Sequence, residues 1–162
     1  MSIEVQSVTK SYETQLALNE ISFSASKGEI IGFLGPNGAG KSTMMKILTG
    51  FILPTKGTVF VSGINVLKNP IEAKAHIGYL PEQNPLYEDM YVKEYLQFQA
   101  SIFKVPKEAI ETVVNTVGLK PEVHKKIGQL SKGYQQRVGI AAAIIHNPDV
   151  LVLDKLTELV NS

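Results

Sequence analysis

Apolar and polar positions alternate with a period of two near the start of the chain and recur with helical spacing further on. Ile3, Val5 and Val8 sit among polar residues, and Ile21-Ser22-Phe23-Ser24-Ala25-Ser26 alternates strictly, as half-buried strands do. Lys27-Gly28 reads as a turn. Glu29-Ile30-Ile31-Gly32-Phe33-Leu34 is then a short apolar run, the pattern of a buried parallel strand. It leads into the glycine-rich stretch Gly35-Pro36-Asn37-Gly38-Ala39-Gly40-Lys41-Ser42. A helix is expected over residues 41–48, stopped by Gly50 with Pro54 just beyond. Thr58-Val59-Phe60-Val61, closed by Ser62-Gly63, is a further expected strand, and Ile77-Gly78-Tyr79-Leu80 is a further short apolar segment, ended by Pro81.

The middle of the chain reads as helical. Val92, Tyr95, Leu96, Gln99, Ile102 and Phe103 fall near one helical face, and Ile110, Val113, Val114 and Val117 repeat at i, i+3, i+4 and i+7. Gly118 and Pro121 end the second of these helices. A third is expected to start at Ser131, a good N-cap, and to bury Val138, Ala141 and Ile145, with Pro148 past its end. Val150-Leu151-Val152-Leu153-Asp154 reads as a last buried strand ending in an acid. The order is sheet, glycine-rich loop, helical insert and closing strand, which is an α/β architecture with an inserted helical subdomain. The sequence shows no repeat, low-complexity tract or long linker.

Composition narrows the classes. The 162 residues suit one domain, with 44% hydrophobic and 19% charged residues as in a folded chain. A net charge of +1 gives no electrostatic case for nucleic acid. The absence of cysteine excludes disulfides and thiolate metal sites and suits the cytosol. Glu4, Lys10, Glu13 and Glu20 break up any secretory signal. The apolar run Ile140-Ala141-Ala142-Ala143-Ile144-Ile145 is far short of the roughly 20 residues that span a bilayer. A membrane role is therefore expected to come through a partner.

The glycine-rich stretch matches G-x-x-x-x-G-K-[ST] in full, in the required strand-to-helix context. Its glycines let backbone N–H groups close around phosphate oxygens, and the following helix turns its N-terminus toward the same anion. Lys41 offers a cation to the β- and γ-phosphates and Ser42 a hydroxyl to Mg²⁺. Thr43 completes the nucleotide-binding set with Gly35, Pro36, Asn37, Gly38, Ala39 and Gly40. Asp154, at the end of an apolar strand, is the candidate to hold Mg²⁺ through water.

Between these two motifs, Leu130-Ser131-Lys132-Gly133-Tyr134-Gln135-Gln136-Arg137 resembles the LSGGQ signature of ABC ATPases, with Lys132 in place of a glycine and Tyr134 in place of a glutamine. The resemblance covers essentially the whole chain up to Asp154. It implies a P-loop NTPase fold with a RecA-like core sheet, an N-terminal antiparallel β-subdomain and an inserted helical subdomain. It places the β-subdomain and phosphate-loop core at about 1–80, the helical subdomain and signature helix at about 88–147 and the last core strand at 148–154, with 155–162 a divergent tail. It also implies ATP as the nucleotide, with Tyr12 stacking on adenine. Leu130, Ser131, Lys132, Gly133 and Tyr134 would face the ATP of a second ATPase subunit, in a homo- or heterodimer. Gly78-Tyr79-Leu80-Pro81-Glu82 aligns with the loop that senses Mg²⁺ and the membrane partner, with Glu82 at the family's glutamine and Gln83 beside it. A transmembrane permease is the implied partner, and the inner face of the cell membrane the implied location. The run Gly78 to Val92, with the LSKGY form, resembles most the gliding-motility-associated bacterial ABC ATPases, close to multidrug-export types.

The resemblance breaks after Asp154. The family's general-base glutamate falls on Lys155, a cation that accepts no proton from water. Loss of a general base costs about 10²–10⁴ in rate. Glu158 lies three places on, outside that geometry. None of His76, His124 and His146 follows Asp154, so none is the family's switch histidine, and His146 near a helix C-terminus has a favourable dipole contact. No catalytic residue is therefore assigned. The expectation is a truncated or rearranged ABC ATPase domain that lacks a further core strand and leaves an apolar face open. Two activities follow: an ATP-hydrolysing transporter subunit, or a nucleotide-binding fragment without catalysis.

Overall fold

The computed structural model describes residues 1–154, which form two compact units, one of Met1–Ile77 and a second beginning at Gly78. Lys155 and Glu158 lie outside the described residues.

The first unit is built on a long antiparallel hairpin, β1 (Ile3–Tyr12) and β2 (Gln15–Ala25). Helix α1 (Lys41–Leu48) follows, then β3 (Lys56–Val61), β4 (Ile64–Asn65) and α2 (Pro70–Ala75). The sheet order is β2-β1-β3-β4, all pairs antiparallel. Val5 and Val8 of β1 are buried with Val59 and Val61 of β3, beside Met44, Ile47 and Leu48 of α1. Apolar side chains thus line one face of the sheet and one stripe of the helix. The period-two reading of β1 and β2 holds in part. The β1–β2 ladder changes register between Val5 and Val8, and again around Lys10. Ile21 stands opposite the buried Val8 yet is 37% exposed, because β2 is the outer strand of this sheet.

One expected strand is absent. Residues 29–34 form no strand, and Ile30 and Leu34 are almost fully exposed. An apolar run becomes a strand only when a neighbour takes its backbone N–H and C=O groups. Among the described residues, neither the four-stranded sheet nor the pair formed by β5 and β6 includes this run.

β5 (Ile77–Leu80) starts on the last residue of the first unit and runs into the second, where α3 (Val92–Ile102), α4 (Glu108–Thr116), α5 (Lys132–Ile144) and β6 (Val150–Leu153) follow. The helices share one core. Val92, Tyr95, Leu96 and Ala100 of α3 meet Ile110, Val113 and Val114 of α4 and Val138 and Ala141 of α5. Ile102, placed on the buried face by its spacing, is instead exposed at the last turn of α3. His146, just past α5, stacks on Phe103 with ring centroids 3.9 Å apart. β5 and β6 pair as a two-stranded sheet, extended by the Asp154 N–H donating to the Leu80 carbonyl at 2.9 Å. No helix among the described residues is long and apolar enough to cross a membrane.

Candidate nucleotide site

The glycine-rich loop belongs to the first unit and ends in α1, whose first residue is Lys41. Gly40 is the N-cap, at φ +85°. A Cβ there would fall 2.5 Å from the Ala17 carbonyl oxygen and 2.7 Å from Leu18 Cδ2. Glycine is therefore required twice, for a left-handed backbone and for close approach to β2. No side chain caps the helix start, and its first turn holds no acidic residue. The leading amides of α1 thus keep their affinity for an anion.

Lys41 bends back over the loop. Its ammonium donates to the carbonyls of Gly35 and Pro36, the second at 2.7 Å. The Ala39 N–H donates to the Pro36 carbonyl at 3.2 Å, which closes the turn. Gly35, Pro36, Asn37, Gly38 and Ala39 are exposed, while Gly40 is buried and Ser42 and Thr43 are partly buried. A cation, a helix N-terminus and a loop of exposed backbone thus converge on one spot, which is the chemistry of phosphate recognition.

Tyr12, at the end of β1, is 46% exposed. Lys10 Nζ lies 4.9 Å from its ring centroid and donates to the Leu53 carbonyl at 2.8 Å. The ring is thus held by a cation–π contact whose cation is itself anchored. No local pattern marks this role for Lys10, because its partner carbonyl lies 43 residues away.

The second unit carries the other candidates. Asp154 is buried, at 5% exposure. Tyr79 has its phenol pushed above the ordinary tyrosine value, first by burial and then by the negative charge of Asp154. It therefore stays a neutral hydroxyl near that carboxylate at neutral pH. Glu82 and Gln83 lie on the exposed loop after β5. Ser131 is the N-cap of α5, its Oγ accepting from the Tyr134 N–H at 3.3 Å. Leu130 is buried, whereas Ser131, Lys132 and Gly133 are exposed at the helix start. Tyr134 packs against Arg137, whose guanidinium carbon lies 5.3 Å from its ring centroid. The signature segment thus presents an open, uncharged helix N-terminus apart from Lys132, and no acidic residue opposes an anion in its first turn.

Mg²⁺ is held by one or two carboxylates together with water and substrate phosphates, not by a protein cage. The donor set fits that pattern. Among the described residues no three His, Asp or Glu side chains cluster as a self-sufficient metal site, while the candidates named from sequence, Ser42 in the first unit and Glu82 and Asp154 in the second, are one hydroxyl and two carboxylates.

The chain matches the family model described as ABC transporter over residues 18–158. It is 38% identical to the uncharacterized ABC transporter ATP-binding protein YhcH of Bacillus subtilis, over 96% of this chain and 51% of that protein. Identity and coverage are the same for the bacitracin transport ATP-binding protein BcrA of Bacillus licheniformis. The chain thus spans about half the length of the curated relatives it matches. Among solved structures it resembles an ATP-binding subunit of an ABC transporter, with TM-score 0.86 and 26% identity over 98% of this chain and 68% of the other. It also resembles the dimeric post-hydrolysis state of the ATP-binding cassette MJ0796 bound to ADP and Pi, with TM-score 0.83 and 27% identity over 96% of this chain and 75% of that one.

Proposed function

The chain belongs to the ABC transporter family, and we propose that it is an ATP-binding subunit whose phosphate loop takes Mg·ATP to drive a separate membrane permease. The observation that carries this reading is the convergence of the Lys41 ammonium and the uncapped start of α1 on the exposed loop. In the proposal, Gly35 to Thr43 hold the phosphates and Tyr12 stacks on the base. Ser42 and Asp154 serve as magnesium ligands, with Glu82 as the loop group that senses the metal. Bound Mg²⁺ would neutralise charge on the β- and γ-phosphates. Leu130, Ser131, Lys132, Gly133 and Tyr134 are the proposed contact to the ATP of a second subunit, since a helix N-terminus is an anion site. The dimeric form of MJ0796 supports that arrangement. The domain boundaries given above, the inner face of the membrane as location, and the gliding-motility subtype belong to the same proposal. The subtype rests on the Gly78 to Val92 run and the LSKGY form alone.

A second reading, nucleotide binding without turnover, is favoured by Lys155 at the position of the family's general base. ATP turnover by the purified chain that vanishes in Lys41→Ala supports the first reading. Binding without turnover supports the second, and no binding contradicts both.

A further inference from the structure

Gly139 sits in the interior of α5, where a glycine costs about 1 kcal/mol relative to alanine. Its missing side chain has a use. A Cβ there would overlap the Asn84 amide and fall 2.7 Å from Leu80 Cδ1. Asn84, two residues past Glu82, therefore seats its side chain in a notch on the helix. From that seat its Nδ2 donates to the Gln135 carbonyl at 3.4 Å. Helical spacing makes that carbonyl the acceptor for the Gly139 N–H as well, so the amide adds to the helix bond without replacing it. The seat is preorganised. Pro85 restricts Asn84 to extended backbone, and the Leu86 N–H closes a turn on the Asn84 carbonyl at 2.9 Å.

Gln135 is tied at its other end too. Its Nε2 donates to the Ile127 carbonyl at 3.1 Å, in the segment just before the signature. The same segment is laced to the loop beyond Asn84: Ile127 N–H donates to Met90 and Gly128 N–H to Glu88, each at 2.9 Å. One residue of α5 thus joins the loop carrying Glu82 and Gln83 to the turn that sets up Ser131.

We propose that Asn84 is a positioning residue that locks the Glu82–Gln83 loop to the first turns of α5, so that the signature end of the helix keeps the orientation in which it meets the nucleotide of a second copy. This rests on the reading of residues 130–134 as the site for a partner's ATP. A shift of the loop would then be transmitted to the helix start through one amide.

The test compares wild type, Asn84→Ala, Asn84→Asp and Ser131→Ala by sedimentation velocity with excess Mg·ATP, alongside fluorescent ATP binding to each monomer. Asn84→Asp keeps the size of the side chain but puts a charged carboxylate oxygen in place of the donor, whereas Asn84→Ala removes the donor without adding charge. Both Asn84 variants are expected to bind ATP within about twofold of wild type while the dimer dissociation constant rises about tenfold, the effect of one lost hydrogen bond. Unchanged dimerisation in the Asn84 variants, with Ser131→Ala weakening it, overturns the proposal alone. So does a matching loss of ATP binding, which marks a general structural fault. A wild type that forms no ATP-dependent dimer, or a dimer indifferent to Ser131→Ala, overturns the signature reading and the proposal with it.

Discussion

The Lys41 ammonium donates to the Pro36 carbonyl across the glycine-rich loop at 2.7 Å, so the loop wraps its own cation. Under the proposed function, a phosphate in the loop would take over that ammonium and exchange carbonyl partners for anionic ones, which form the stronger bonds.

Lys41→Ala is therefore expected to leave folding nearly unchanged, since its partners are exposed carbonyls, and to weaken ATP binding by about 10–100-fold, the loss of a charged hydrogen bond. Urea unfolding and fluorescent nucleotide titration of the same preparation separate the two effects.

Gly40→Ala is expected to act the other way, on the fold. The new Cβ meets the Ala17 carbonyl at 2.5 Å and the backbone stands at φ +85°. Strain and overlap together should cost about 2–4 kcal/mol, read as a fall in the urea midpoint without a change in slope.

Ser131→Ala removes the acceptor for the Tyr134 N–H. The loss of an N-cap should lower stability by about 1 kcal/mol. Helical content measured by circular dichroism should be kept at 25 °C, because Val138 and Ala141 anchor α5 in the core.

Tyr95 sets an alkaline limit. Burial, and then the neighbouring Tyr87, raise its phenol above the ordinary value of 10.0, with a Gln99 hydrogen bond pulling the other way. The unfolded chain therefore ionises first. The contribution is complete below pH 10.0 and is lost as pH rises through the folded value. Tyr95→Phe should flatten the fall in stability above that pH, measured as urea midpoints from neutral to alkaline buffer.

Where a local rule decided the outcome, the chain was readable in advance. Residues 41–48 are helical to the residue, Ser131 caps α5, and residues 150–153 form a strand. Those features depend on caps, glycines and apolar runs close in sequence. The strand expected at 29–34 depends on a partner, and none of the described strands is paired with it. The exposure of Ile21 follows from the place of β2 at the edge of its sheet, which no period-two pattern records. Lys10 and Asn84 escaped notice because their partners, Leu53 and Gln135, are 43 and 51 residues away. Gly139 did leave a signal, a glycine inside a helix among alanines and valine, which marks close approach by another element.

Thermal unfolding of the purified chain with and without saturating Mg·ATP tests the central claim most directly. A ligand held only by the folded state at 100 times its dissociation constant adds about 2.7 kcal/mol. The account predicts an upward shift in the midpoint that Lys41→Ala cuts to about half or less, the consequence of binding about 10–100-fold weaker at the same nucleotide concentration. A midpoint indifferent to Mg·ATP, or a shift of undiminished size in Lys41→Ala, would contradict it.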